Sequence, residues 1–144
     1  MSYKWHACQE KLAPCFYALF RIVIGIILVA HGWGKASDIP NWIQQLTSMG
    51  FPMPEVNAYL SVAGEFLGGL GLLVGLFTPL AAFGVACVMA TAILKVHLPN
   101  GLIGDGSFEY PLTLFMAALF FMTHGGGKFS VDALWCKHQG ECSK

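Results

Sequence analysis

Glu65 lies inside an otherwise uncharged stretch from Val56 to Phe77. At 1.5 Å per helical residue, that stretch is about long enough to cross a hydrocarbon core of roughly 30 Å. A carboxylate isolated in low dielectric tends to become protonated. It must therefore find a partner, face a wet cavity, or stay neutral and take part in proton-linked chemistry. Three side chains fall at compatible depth for this: His31, Lys35 and Lys95.

The elements that must position these residues are membrane-spanning. Of 144 residues, 56% are hydrophobic and only 11% charged, with a mean hydropathy of +0.61. A soluble domain would carry roughly 25% charge. A net charge of zero and no basic tract argue against nucleic acid as a partner and leave the lipid bilayer as the first one. Four apolar spans can be drawn, at about 16–34, 56–77, 80–98 and 110–124. A spanning segment must satisfy its own backbone hydrogen bonds, and four segments cannot close a barrel, so the fold class is all-α, a four-transmembrane-helix bundle. Thr78-Pro79 marks a tight connection between the second and third spans, and Asn100-Gly101 with Gly104-Asp105-Gly106 a loop before the fourth. Trp42, Ile43, Leu46 and Met49 share one helical face in the segment 35–55, which predicts a helix lying along the interface.

Lys4, Lys11 and Arg21 precede or open the first span, and Lys128, Lys137 and Lys144 follow the fourth, whereas Lys35 and Lys95 fall on the other side. The positive-inside rule then puts both termini in the cytoplasm, with tails at 1–15 and 133–144 around a membrane domain at 16–132. Threaded this way, the spans gather a polar cluster in the outer half of the bundle. Glu65 forms its floor with His31 and Lys95 as catalytic neighbours, and Lys35, His97 and Glu109 form a substrate-binding mouth. Snorkelling to the interface is the simpler account of the last three, and of Arg21 at the opposite side. Glu65 paired with Lys95 would also serve as a structural latch.

Glycines 64, 68, 71 and 75 recur by four, three and four, so Gly64, Gly68, Gly71 and Gly75 form a face that lets a neighbouring helix approach closely. That neighbour belongs either to the same chain or to a second copy in a homo-oligomer. No strand precedes the run, which excludes a nucleotide-binding loop. Haem, flavin and iron-sulfur signatures are also missing from the sequence.

Arg21-x3-Gly25, His31-Gly32-Trp33-Gly34-Lys35, Gly50-Phe51-Pro52-Met53-Pro54, Gly64-Glu65-Phe66-Leu67-Gly68-Gly69, Gly75-Leu76-Phe77-Thr78 and Gly125-Gly126-Gly127-Lys128-Phe129-Ser130-Val131-Asp132 occur in that order. Together they resemble the DoxX family of small membrane proteins over about residues 16 to 132. The resemblance implies a four-helix bundle in a bacterial inner (plasma) membrane, tied to quinone-linked or thiol-linked redox chemistry and oxidative stress. On that reading the chain is the membrane component of a redox system, a quinone-linked oxidoreductase subunit if it is an enzyme. Glu65 exchanges protons while His31 or Lys95 hydrogen-bonds a quinone carbonyl, and a partner supplies the electrons. The alternatives are a non-catalytic anchor for soluble redox enzymes at the cytoplasmic tails, and a small transporter.

The tails carry Cys8, Cys15, Cys136 and Cys142 at spacings looser than common zinc sites, so no metal site is assigned. In a reducing compartment they are expected to remain thiols. Cys87, midway along the third span, is expected to be a buried small apolar residue.

Overall fold

The computed structural model describes the backbone of residues 2–139 and the side chains of residues 9–138, and the described residues form helices and turns with no strand. In chain order these are α1 (Ser2–Ala36), α2 (Ile39–Ser48), α3 (Pro54–Val62), a π-helical turn (Ala63–Leu67), α4 (Gly68–Val74), α5 (Thr78–Ala92), a second π-helical turn (Ile93–His97), a short 3-10 turn (Leu98–Asn100), α6 (Glu109–His124) and α7 (Val131–Gln139).

Three continuous helices are long and apolar enough to cross a membrane: Gln9–Ala36, Pro54–Val74 and Thr78–Asn100. The expected fourth span is α6, which at 16 residues is about 24 Å long, short of a full hydrocarbon core. Length and composition therefore support three spans where four were expected. One core is nevertheless built from all four segments. Leu28 of α1, Leu72 of α4, Val85 of α5 and Phe121 of α6 are all fully buried in it. The boundaries expected at 15 and 132 coincide with no break in structure, since α1 runs on from Ser2 and α7 straddles residue 132.

The glycine face packs within the chain. Gly64, Gly68 and Gly71 lie against α5, where a Cβ on Gly68 would sit 3.1 Å from the Ala81 carbonyl oxygen. A second set of glycines brings α1 onto the same helix. A Cβ on Gly32 would lie 2.5 Å from the Phe66 nitrogen, and one on Gly25 2.7 Å from the Leu73 nitrogen. With no side chain at these points the backbones approach to contact, as in membrane helix pairs generally.

The connection between α4 and α5 is made by Gly75, Leu76 and Phe77, and not by Thr78-Pro79, which instead begin α5. Gly75 (φ 72°) leaves the helix in the left-handed region, where glycine is unstrained. Its missing Cβ also makes room for Arg21 and Ser130. Arg21 does not snorkel. It is 1% exposed and donates to the carbonyls of Leu72, Leu73 and Phe129. The Asp132 carboxylate accepts from the Phe77 and Thr78 backbone N–H groups at 2.7 and 2.9 Å and from the Thr78 hydroxyl at 2.8 Å. A cation thus meets the C-terminal end of α4 and an anion the N-terminal end of α5, each satisfying backbone groups the helices leave open. The Tyr17 hydroxyl completes this clamp by donating to the Gly125 carbonyl.

Candidate functional site

A cavity of about 820 Å³ lies between α2, the helix running from α3 to α4, and α5. Its volume is within the range of small-molecule sites, roughly 300–1,000 Å³. The walls are mostly apolar, and polar groups gather at the end away from the chain termini, where Lys35, Glu65 and His97 line the same space.

Both π-helical turns border this cavity. Such turns are uncommon in helices and frequent at functional sites because one extra residue re-aims the side chains that follow. The first holds Glu65 at its centre, and Glu65 is only 3% exposed. The second explains where Lys95 goes. Gly84, Cys87, Val88, Thr91 and Ala92 line the cavity at helical spacing, which continued by four would bring Lys95 and Val96 to the wall. The turn at Ile93–His97 adds a residue, so Val96 and His97 take that place and Lys95 is exposed outside it.

The expected Glu65–Lys95 pair is therefore replaced by Glu65–Lys35. The Lys35 Nζ stands 2.5 Å from the Glu65 Oε1. It also lies 4.7 Å from the centre of the Trp42 ring, a cation–π contact. Trp42 is fixed in turn by its Nε1–H, which donates to the Ser61 hydroxyl at 2.9 Å, while that hydroxyl donates to the Ala58 carbonyl at 2.8 Å. One chain of contacts thus ties the end of α1, the connecting helix α2 and α3 around the carboxylate. The other carboxylate oxygen, Oε2, is buried and has no hydrogen-bond partner among the described residues. A buried acceptor left open costs stability unless something fills it.

His97 has a defined tautomer. Its Nδ1 stands 2.6 Å from the Gly106 carbonyl oxygen, which can only accept, so Nδ1 carries the hydrogen. Nε2 is then the ring nitrogen left for a further partner. The polar end of the cavity is accordingly lined by the Lys35 ammonium, the His97 imidazole and the Glu65 carboxylate, whose Oε2 has no hydrogen-bond partner among the described residues.

Of the six expected site residues, Glu65, Lys35 and His97 share the cavity. His31 is turned toward α6, its ring 5.4 Å from that of Tyr110, and makes no hydrogen bond to Glu65. Glu109 is exposed at the start of α6, outside the cavity. Trp42 and Ser61 were missed as site residues. The sequence marks Trp42 only as part of an interfacial stripe, and Ser61 only by its place one helical turn before Glu65. Cys87 is not buried: it is an exposed free thiol on the cavity wall. Cys15 is also a free thiol, whereas Cys136 is disulfide-bonded, contrary to the expectation of free tail thiols. Cys8 and Cys142 lie outside the described side chains.

The DoxX family model matches residues 16–98. A Bacillus subtilis protein named "Putative oxidoreductase CatD" is 33% identical over 96 residues, covering 67% of this chain and 70% of that one. A Haemophilus influenzae protein of uncharacterized function is 33% identical over 134 residues, covering 85% and 92%. Inner membrane protein YphA of Escherichia coli is 25% identical over 125 residues, covering 83% and 89%. No solved structure matches the chain.

Proposed function

The chain belongs to the DoxX family, and on that premise we propose that it is a multi-pass protein of a bacterial inner membrane whose cavity binds a quinone or similar small redox molecule. The observation that carries this reading is the convergence of Lys35, Glu65 and His97 on one apolar cavity, with one carboxylate oxygen left without a hydrogen-bond partner among the described residues. The oxidoreductase name of the Bacillus relative agrees with it. Lys35 retains N–H donors for a quinone carbonyl, and His97 Nε2 accepts from the hydroxyl of the reduced form. Reduction of a quinone to a hydroquinone takes up two electrons and two protons. Glu65 relays a proton to or from the ring oxygens, and a soluble partner enzyme supplies both electrons, because the chain carries no haem, flavin or iron-sulfur signature. In this reading α6 completes the bundle as a short fourth span.

The test is binding. A benzoquinone added to the purified protein in nanodiscs is expected to quench the fluorescence of Trp42, identified as the signal missing from Trp42→Phe. The same quenching is expected to weaken in Glu65→Gln and His97→Ala. Quenching that is unchanged in both variants places the molecule elsewhere and removes the reading.

The lysine and arginine distribution favours both termini in the cytoplasm. The disulfide at Cys136 favours the opposite orientation, since disulfides persist in oxidising compartments. Cysteines introduced at Ser37 and Asp105, in a background without native cysteines, decide between them. Both positions are exposed, at the end of the molecule away from the termini. Outside-only labelling by an impermeant maleimide is expected, and labelling only after permeabilisation reverses the orientation.

A further inference from the structure

The cavity is longer than a redox headgroup needs. From its polar end at Glu65 it continues along α4 and α5 to Phe77 and Leu80 at the other end of the molecule. Nine helical residues run from Glu65 to the end of α4 at Val74, a rise of about 14 Å, and the turn to Phe77 lies beyond it. The floor is made of small residues, Gly64, Gly68, Ala81 and Gly84, where the two helices touch. The walls are apolar side chains open on their outer side: Leu60 is 60% exposed, Leu67 62% and Leu80 69%. In a helix pair that crosses the membrane, that open side faces lipid.

A furrow of small residues between two helices is ordinary packing by itself. Here it runs to a buried carboxylate whose Oε2 has no hydrogen-bond partner among the described residues, paired with the Lys35 ammonium, and the His97 imidazole lines the same space. The polar groups and the furrow form one continuous space, with hydrogen-bonding chemistry only at one end. The occupant that matches this polarity is an amphiphile with one compact polar head and one long apolar tail. A water-soluble headgroup would leave most of the space unfilled, and a two-chain phospholipid has a second tail for which this single furrow makes no place.

We infer that the furrow between α4 and α5 holds the tail of an isoprenoid quinone, which enters sideways from the bilayer and places its ring between Lys35, Glu65 and His97. The inference rests on the binding reading above and adds the tail and the route of entry. Lateral entry also accounts for a polar site set inside an apolar wall, since the head need never cross water.

Cys87 supplies a native reporter, as an exposed free thiol on the furrow wall. The full chain in phosphatidylcholine nanodiscs is treated with N-ethylmaleimide, and Cys87 alkylation is followed by mass spectrometry of its peptide. At tenfold excess over the dissociation constant, a long-tailed ubiquinone is expected to slow alkylation about tenfold. A tail-less benzoquinone is expected to leave the rate unchanged while still quenching Trp42. Gly84→Leu is expected to abolish the protection and keep the Trp42 signal of the tail-less compound. A Cβ at Gly84 meets only the Gly64 Cα at 3.9 Å, so the floor admits the first carbon of the new side chain, and the retained Trp42 signal reports that the helix pair has stayed closed. Trp42 quenching by the long-tailed quinone without Cys87 protection overturns the tail inference and leaves the binding reading standing. Equal protection by a long-tailed isoprenoid alcohol upholds the tail furrow and removes the quinone. Absence of both signals with every probe overturns both.

Discussion

Lys35→Met is expected to destabilise the folded protein by roughly 3–5 kcal/mol, because it leaves the Glu65 carboxylate buried with no counter-charge. The pair meets at 2.5 Å, and the carboxylate side of it is almost wholly buried. Lys95→Met serves as the contrast. Lys95 is exposed and makes no ion pair among the described residues, so its replacement is expected to change stability by no more than about 0.5 kcal/mol. The double variant Lys35→Met/Glu65→Leu removes both charges and is expected to fold again, since apolar replacement of a buried pair is often neutral or stabilising. It should not regain quinone binding. Glu65→Gln separates the two roles: the amide keeps the shape and is expected to fold nearly normally, but it cannot exchange a proton. Unfolding in mixed detergent micelles gives the stability series, and quinone-dependent turnover or oxidant resistance in cells gives the activity. Wild-type activity in well-folded Glu65→Gln leaves the carboxylate a purely structural latch. Lys95→Met as damaging as Lys35→Met would mean that the partner has been assigned to the wrong lysine.

Arg21→Met is expected to have an effect of similar size at the opposite end of the molecule. It removes the donors from three carbonyls, those of Leu72, Leu73 and Phe129. A carbonyl left buried without a donor costs about 1–3 kcal/mol; the bond to Leu72 is buried and those to Leu73 and Phe129 partly so, and the total is on the order of a few kcal/mol. Arg21→Lys keeps the charge but not the planar fork that reaches two chain segments at once, and an intermediate loss is expected. The segment that follows α6 is held partly by Arg21 and partly by Asp132, so its release should be visible before the bundle opens. Trypsin cleavage at Lys128 is expected to accelerate in Arg21→Met and, more weakly, in Asp132→Ala. Thermal midpoint and cleavage rate both equal to wild type in Arg21→Met would remove the clamp as a source of stability.

The sequence by itself determined that the chain is helical and built for a membrane, since apolar runs of that length leave the backbone no other way to satisfy its hydrogen bonds. It also marked Glu65 as the residue to explain, because a carboxylate within such a run needs a partner whatever the packing. The glycine spacing at 64, 68 and 71 showed that a neighbour would approach closely. Only the tertiary structure decided that the neighbour is α5 of the same chain, because a small-residue face is equally suited to a partner within or between chains. Tertiary structure also chose Lys35 over Lys95. Spacing arguments assume 3.6 residues per turn throughout, and one extra residue in the turn at Ile93–His97 rotates Lys95 out and His97 in. Arg21 and Asp132 were visible as charges near the ends of the chain, but their partners lie 51 to 108 positions away for Arg21 and 54 to 55 for Asp132. Those partners are mostly backbone groups at the ends of other helices. A backbone carbonyl or N–H carries no mark in the sequence, so the clamp becomes legible only when the helix ends are brought together.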